Sequence, residues 1–150
     1  MLCCPKCKGD LTLRNDESAF SCATCAFVFP IVDGIPVLFP CNVEVEMKHL
    51  FTRYWDAEDK AHLYDANVEG AGSIFGIYNH ESEIYGLTYY FDQNKLGLFL
   101  DAGCGNGRFL ETLPPTTVSV GIDASLNLLR AAQRRKRGHF HVCCELEHLP

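Results

Sequence analysis

The chain has 150 residues, 47% hydrophobic and 21% charged, with 19 acidic against 13 basic side chains and a net charge of −6. This balance fits a globular protein of ordinary domain size and excludes a disordered chain, while the acidic excess argues against a large polyphosphate footprint. No apolar run approaches the ~20 residues that cross a bilayer, and Met1-Leu2-Cys3-Cys4-Pro5 lacks the basic-then-apolar order of a secretory leader. A cytoplasmic location with no membrane partner is therefore expected, its nine cysteines reduced rather than locked into a disulfide scaffold.

Residues 1–40 open with two paired cysteines, Cys4-Pro5-Lys6-Cys7 and Cys22-Ala23-Thr24-Cys25, separated by a hairpin-sized stretch. Two such knuckles bring four thiolates within tetrahedral reach, which is the donor set of a closed, structural Zn2+ site with no open position for catalysis. A redox pair would come singly, at a helix start. Cys3 adjoins Cys4, but Cys4 has the matching spacing. The segment Phe27–Pro40 alternates apolar residues and carries Asp33-Gly34, a turn signal between two short strands. Residues 1–40 are thus expected to form a small β-rich zinc ribbon. Residues 41–95 read as a linker or helical extension. Val45–Tyr54 and Ser82–Tyr90 have amphipathic helical spacing, and Tyr54 with Trp55 are candidates for core packing or for a lid.

Residues 96–150 alternate strand and helix patterns. Leu96–Leu100 is a continuous apolar run, as in a parallel strand buried on both faces. A Gly-rich turn and a short helix over about Gly107–Leu113 follow, ended by Pro114-Pro115. Thr117–Ile122 is the second strand. Ser125 is the expected N-cap of a helix that places Leu126, Leu129 and Ala132 on one face and ends near Gly138. Its basic end, Arg130 and Arg134–Arg137, suits the negative end of a helix dipole. Phe140–Cys144 is the third strand. The order βαβαβ is the first part of a Rossmann-like, doubly wound parallel sheet, incomplete here, so the fold class is α/β with a ribbon ahead of it.

The sharpest motif is Asp101-Ala102-Gly103-Cys104-Gly105-Asn106-Gly107, between strand and helix. Its glycines let the backbone turn tightly and approach a ligand, and Asp123 at the end of the next strand can accept both hydroxyls of a ribose. A dinucleotide site shares these features, but its fingerprint is GxGxxG, whereas the glycines here stand at 103, 105 and 107. Asp101 would also repel a pyrophosphate and would suit the ammonium of a methionine group. The motif therefore points to S-adenosyl-L-methionine. Cys104 fits as a small packing residue, and Cys143 and Cys144 as small hydrophobes on a buried strand.

DAGCGNGRF, Gly121-Ile122-Asp123-Ala124-Ser125 and Cys144-Glu145-Leu146-Glu147-His148-Leu149-Pro150 together resemble the first three motifs of the class I S-adenosylmethionine-dependent methyltransferases. The resemblance implies that Asp101, Gly103 and Gly105 line the methionine end and that Asp123 holds the ribose. It also implies that Glu145, with the backbone of Leu146, binds the adenine edge. Glu145 stands where the family usually has Asp, one methylene shorter. Leu2–Leu38, ending DGIPVL, resembles the zinc-ribbon family that includes the activator subunit of tRNA and protein methyltransferases.

The class I fold normally has seven strands, and the family's acceptor pocket is built from the later ones. The expectation is therefore a truncated domain, inactive alone, with Leu96–Leu100 as an unpaired apolar edge that self-associates or is completed by a partner chain. No catalytic residue is assigned. The acceptor, whether small molecule, protein or RNA, stays open. The competing function is a non-catalytic adaptor for a partner methyltransferase.

Overall fold

The computed structural model describes residues 2–40, 73–93 and 97–150. The first stretch forms an antiparallel sheet of β1 (Leu11–Leu13), β2 (Ala19–Cys22), β3 (Val28–Val32) and β4 (Ile35–Pro36), in that order. Asp33 and Gly34 close the last hairpin with φ of 52° and 78°, and Val32 pairs with Ile35. Positive φ at both loop residues is the hairpin turn whose twist matches its strands, as Asp-Gly at these positions foretells.

Helix α1 runs from Ile74 to Gln93, longer than the expected Ser82–Tyr90. Ser73 starts it, its Oγ accepting from Gly76 N at 3.0 Å. His80, Ile84 and Leu87 are half-buried and Phe91 is buried, one stripe at helical spacing. Apolar residues also occupy the other faces, where Phe75, Tyr78 and Tyr85 are exposed, so the helix is not amphipathic in the expected sense. Val45–Tyr54, Tyr54, Trp55 and Cys41 lie outside the described residues. Among the described residues no helix is long and apolar enough to cross a membrane.

The last stretch forms a parallel sheet in the order β5 (Leu98–Ala102), β6 (Val118–Asp123), β7 (Phe140–Cys143). Helix α2, Leu126–Arg134, links β6 to β7, and Ser125 Oγ accepts from Leu128 N at 3.3 Å as its N-cap. The basic end of this region makes ion pairs, Arg130 with Asp33 and Arg137 with Glu111, each at 2.7 Å.

Two sequence expectations fail here. Between β5 and β6 there is no α-helix over Gly107–Leu113, only a 3-10 turn at Leu110–Thr112. Gly107 sits at φ 74°, and Pro114 holds Leu113 extended at ψ 145°. The few residues left between them cannot repay helix nucleation. The first parallel strand is also not buried on both faces. Phe99 packs edge-on against Phe91 of α1, with ring centroids 5.3 Å apart. Leu98 and Leu100, on the opposite face, are 71% and 50% exposed. No described element covers that face of β5, and β6 is its one described neighbour.

The ribbon is docked on the other side of the sheet. Past β4 the chain runs parallel to the edge of β7, with Val37 bridged to Cys143 and Leu38 N donating to Cys143 O at 2.7 Å. Side chains alternate along such a segment. Leu38 enters a core with Cys4, Cys22, Phe29, Ile122, Val142 and Cys144. Ile35, Val37 and Phe39 enter the core around Cys104, Leu110, Leu129 and Cys143. Asp33 O also accepts from Gln133 Nε2 at 3.1 Å, tying the hairpin to α2.

Candidate metal centre and cofactor site

The Sγ atoms of Cys4, Cys7, Cys22 and Cys25 all lie within 4.8 Å of one another. Tetrahedral Zn2+ with bonds of about 2.3 Å separates its sulfurs by about 3.8 Å. The spacings of 3.7 Å for Cys4–Cys25 and 3.4 Å for Cys7–Cys22 match that size. The two knuckles share one backbone pattern. Cys4 N donates to Gly9 O at 2.8 Å and Lys8 N to Cys4 O at 2.7 Å. Cys22 N donates to Phe27 O at 2.9 Å and Ala26 N to Cys22 O at 3.0 Å. Lys8 and Ala26 take the equivalent left-handed positions, at φ 62° and 56°. Gly9 is required by proximity, because a Cβ there would stand 2.3 Å from Thr24 Oγ1 of the other knuckle. Cys25 N–H points at Cys22 Sγ, 3.5 Å away, and draws that thiol down to about 6, while its sulfur partner Cys7 is raised to about 12.

At the carboxyl ends of β5, β6 and β7 the structure gathers the other residues singled out by sequence. Asp101 is the next-to-last residue of β5, with Gly103 and Gly105 in the turn after the strand. Asp123 ends β6, and Glu145 and Leu146 follow β7. Gly103, Gly105 and Gly107 have φ of 85°, 54° and 74°, the left-handed region that favours glycine. A Cβ on Gly103 would project into open space. One on Gly107 would press within 3.1 Å of Ala132 and Arg137, so the last glycine serves packing.

Asp123 has a second task that its sequence position did not reveal. Its Oδ2 accepts from Gly105 N and its Oδ1 from Ser125 N, both at 2.8 Å, so the carboxylate holds the glycine loop in shape. Asp101 Oδ2 is buried and has no hydrogen-bond partner among the described residues. Burial raises the Asp101 carboxyl above its ordinary range, with Asp123 adding to the shift and Arg108 opposing it. A buried orphan acceptor beside a second carboxylate is a place for a cation. Burial also raises the Cys104 thiol, and it pushes Cys144 up to about 11, so both pack as neutral side chains.

Sequence reasoning overlooked Arg108. Its guanidinium stacks 3.9 Å over Phe109, bonds Glu83 at 2.7 Å and meets His80 Nδ1 at 3.0 Å, pinning α1 to the glycine loop. Both partners lie far away in sequence, so no local signal announces them. A cleft of about 640 Å3 between the ribbon and the sheet is lined by Phe20, Ile35, Val120, Phe140 and His141 among others. None of the six cofactor-site candidates borders it.

The structure thus joins a four-cysteine ribbon, with its sulfurs at metal-binding spacing, to a three-stranded parallel α/β sheet. Residues 1–34 match the Trm112p-like protein family and residues 100–150 the methyltransferase domain family. A UPF0434 protein of Azotobacter vinelandii is 50% identical over 38 residues, covering 25% of this chain and 62% of that protein. Those of Coxiella burnetii (strain CbuG_Q212) and Methylobacillus flagellatus are 48% and 40% identical over 40 and 53 residues. They match 27% and 31% of this chain, and 71% and 88% of their own lengths. Through its N-terminal segment the chain belongs to the UPF0434 protein family. A solved S-adenosylmethionine-dependent methyltransferase from Clostridium acetobutylicum ATCC 824 shares 22% identity with a TM-score of 0.38, covering 58% of this chain and 35% of that one.

Proposed function

We propose that residues 96–150 form the cofactor-binding part of an S-adenosyl-L-methionine-dependent methyltransferase, that residues 1–40 are a structural zinc ribbon, and that 41–95 connect them. The observation that carries this reading is the buried, orphaned Oδ2 of Asp101 above the glycine loop. An ammonium would satisfy that oxygen, whereas a pyrophosphate would be repelled. Asp101 would then hold the methionine end, with Gly103 and Gly105 giving the backbone its close approach. Asp123, at the end of the strand beside the glycine loop, would accept the ribose hydroxyls. Glu145 and the N–H of Leu146 would read the adenine edge. The bound cofactor supplies the electrophilic methyl group. Four thiolates leave a metal no open position, so the ribbon's Zn2+ is structural. Reduced thiols fit the cytoplasm.

Titration calorimetry with S-adenosylhomocysteine tests the reading. Saturable heat is expected, and Asp123→Ala should weaken binding about 10- to 100-fold, the value of hydrogen bonds to a charged acceptor. Tighter binding of NADH would overturn it. Transfer also needs an acceptor held in line at about 3–3.5 Å, and the residues gathered at the β5–β7 ends are all cofactor-side groups. Residues 1–150 alone should therefore bind cofactor without transferring labelled methyl. The second reading, a non-catalytic adaptor, draws on the Trm112p-like match of residues 1–34. It predicts no saturable heat in the same titration.

A further inference from the structure

Among the described residues, backbone pairing of the ribbon with β7 is a single bridge, Val37 to Cys143, at the last residue of that strand. Toward the start of β7 ribbon and sheet part, and the cleft of about 640 Å3 opens between them. Leu2, Phe20 and Ile35 line it from the ribbon, and Val120, Phe140 and Val142 from the sheet. Val120 stands opposite Phe140 in the register of β6 and β7, so the two share one face. An apolar lining with a few polar groups, around a volume of ~300–1,000 Å3, is the build of a small-molecule site.

The charge on this lining is one-sided. The chain has 19 acidic residues, yet none of the described ones lines the cleft, whereas Lys136 does. Arg130 and Arg137, close to it in sequence, are paired with Asp33 and Glu111. Lys136 has no ion pair among the described residues. The two histidines of the lining add no second cation. His139 Nδ1 accepts from Ser119 N at 3.3 Å, so its ring proton sits on Nε2. His141 Nε2 donates to Arg137 O at 2.8 Å, and burial holds its pKa below the ordinary value. One cation beside an apolar surface suits a singly charged carboxylate on a hydrocarbon body, whereas a phosphate dianion calls for several charged donors.

We propose that this cleft binds an apolar carboxylic acid, its hydrocarbon part held between ribbon and sheet and its carboxylate paired with Lys136. The site stands apart from the cofactor candidates, none of which borders it, and holds whether or not the cofactor reading does. A ligand that touches both ribbon and sheet binds their docked arrangement and so stabilises it.

Calorimetry on the full chain loaded with zinc tests the site, with octanoate and 2-naphthoate as probes for an alkyl and an aryl body. At least one acid should bind saturably, one per chain, and about fivefold more tightly than its uncharged alcohol, octanol or 2-naphthol. Lys136→Met should bring the acid down to the level of the alcohol. Phe140→Asp should weaken the acid at least about tenfold, because it sets a like charge beside the carboxylate. Both side chains are exposed, so neither replacement touches the buried core. Leu98→Asp, on the same sheet face but off the cleft, should change nothing. The thermal midpoint should rise with ligand concentration, whereas adsorption to the unfolded chain would lower it. No saturable binding of either acid, equal affinity for acid and alcohol, a Leu98→Asp effect as large as that of Phe140→Asp, or a falling midpoint overturns the proposal.

Discussion

Replacing Leu38 by Ala probes whether ribbon and sheet form one cooperative unit. Leu38 is 0% exposed and packs with Cys4, Cys22 and Phe29 of the ribbon and with Ile122, Val142 and Cys144 of the sheet. Its N–H bond to Cys143 O is a backbone contact that the substitution retains. Three buried carbons are lost, worth about 2.4 kcal/mol by transfer, and the cavity between two elements that cannot collapse together raises this to about 3–5 kcal/mol. Against a total stability of about 5–15 kcal/mol this is a large fraction. Urea unfolding at fixed zinc, followed by far-UV circular dichroism, should show one transition moved to lower denaturant with its slope unchanged. Leu98→Ala, at a side chain 71% exposed, should cost less than about 0.5 kcal/mol. A Leu38→Ala cost below about 1 kcal/mol, or two transitions of which one stays in place, would refute the shared core.

Cys22→Ser should release zinc and unfold the ribbon, since metal binding of about 10–16 kcal/mol exceeds what so small a core supplies; Cys41→Ser should do neither, and metal analysis reads both. Gly9→Ala should weaken zinc binding more than Gly34→Ala, because its Cβ would fall 2.3 Å from Thr24 Oγ1 whereas the nearest atom at Gly34 is 3.6 Å away. Zinc competition titrations rank the two. The Asp101 carboxyl is raised from 3.8 in the folded protein, so the folded state holds its proton more tightly than the unfolded one. Its contribution is fully present below the unfolded value and is lost as pH rises through the raised one. As pH rises from about 4 the protein should therefore lose stability relative to Asp101→Asn, and a difference that stays flat across urea titrations at each pH would contradict the burial of that carboxyl.

The local features were legible in the chain because each rests on chemistry within a few residues. Cysteine pairs at knuckle spacing, Asp33-Gly34 between short strands, glycines at 103, 105 and 107, and Ser125 ahead of an apolar helical stripe all specify their own geometry. The sheet order β5-β6-β7 follows from three apolar runs joined by crossovers. Tertiary structure alone decided what depends on partners distant in sequence. Whether Leu98 and Leu100 are covered is a property of what packs on that face, and composition cannot report it. The short segment after Gly107 has helical residues but too little length between a positive-φ glycine and a proline pair. Arg108 finds Glu83 and His80, Asp123 holds the loop that precedes it, and Lys8 reaches Leu149 across nearly the whole chain. Periodicity records which side of an element is apolar, but only the folded packing brings a metal knuckle against the turn that carries Glu145.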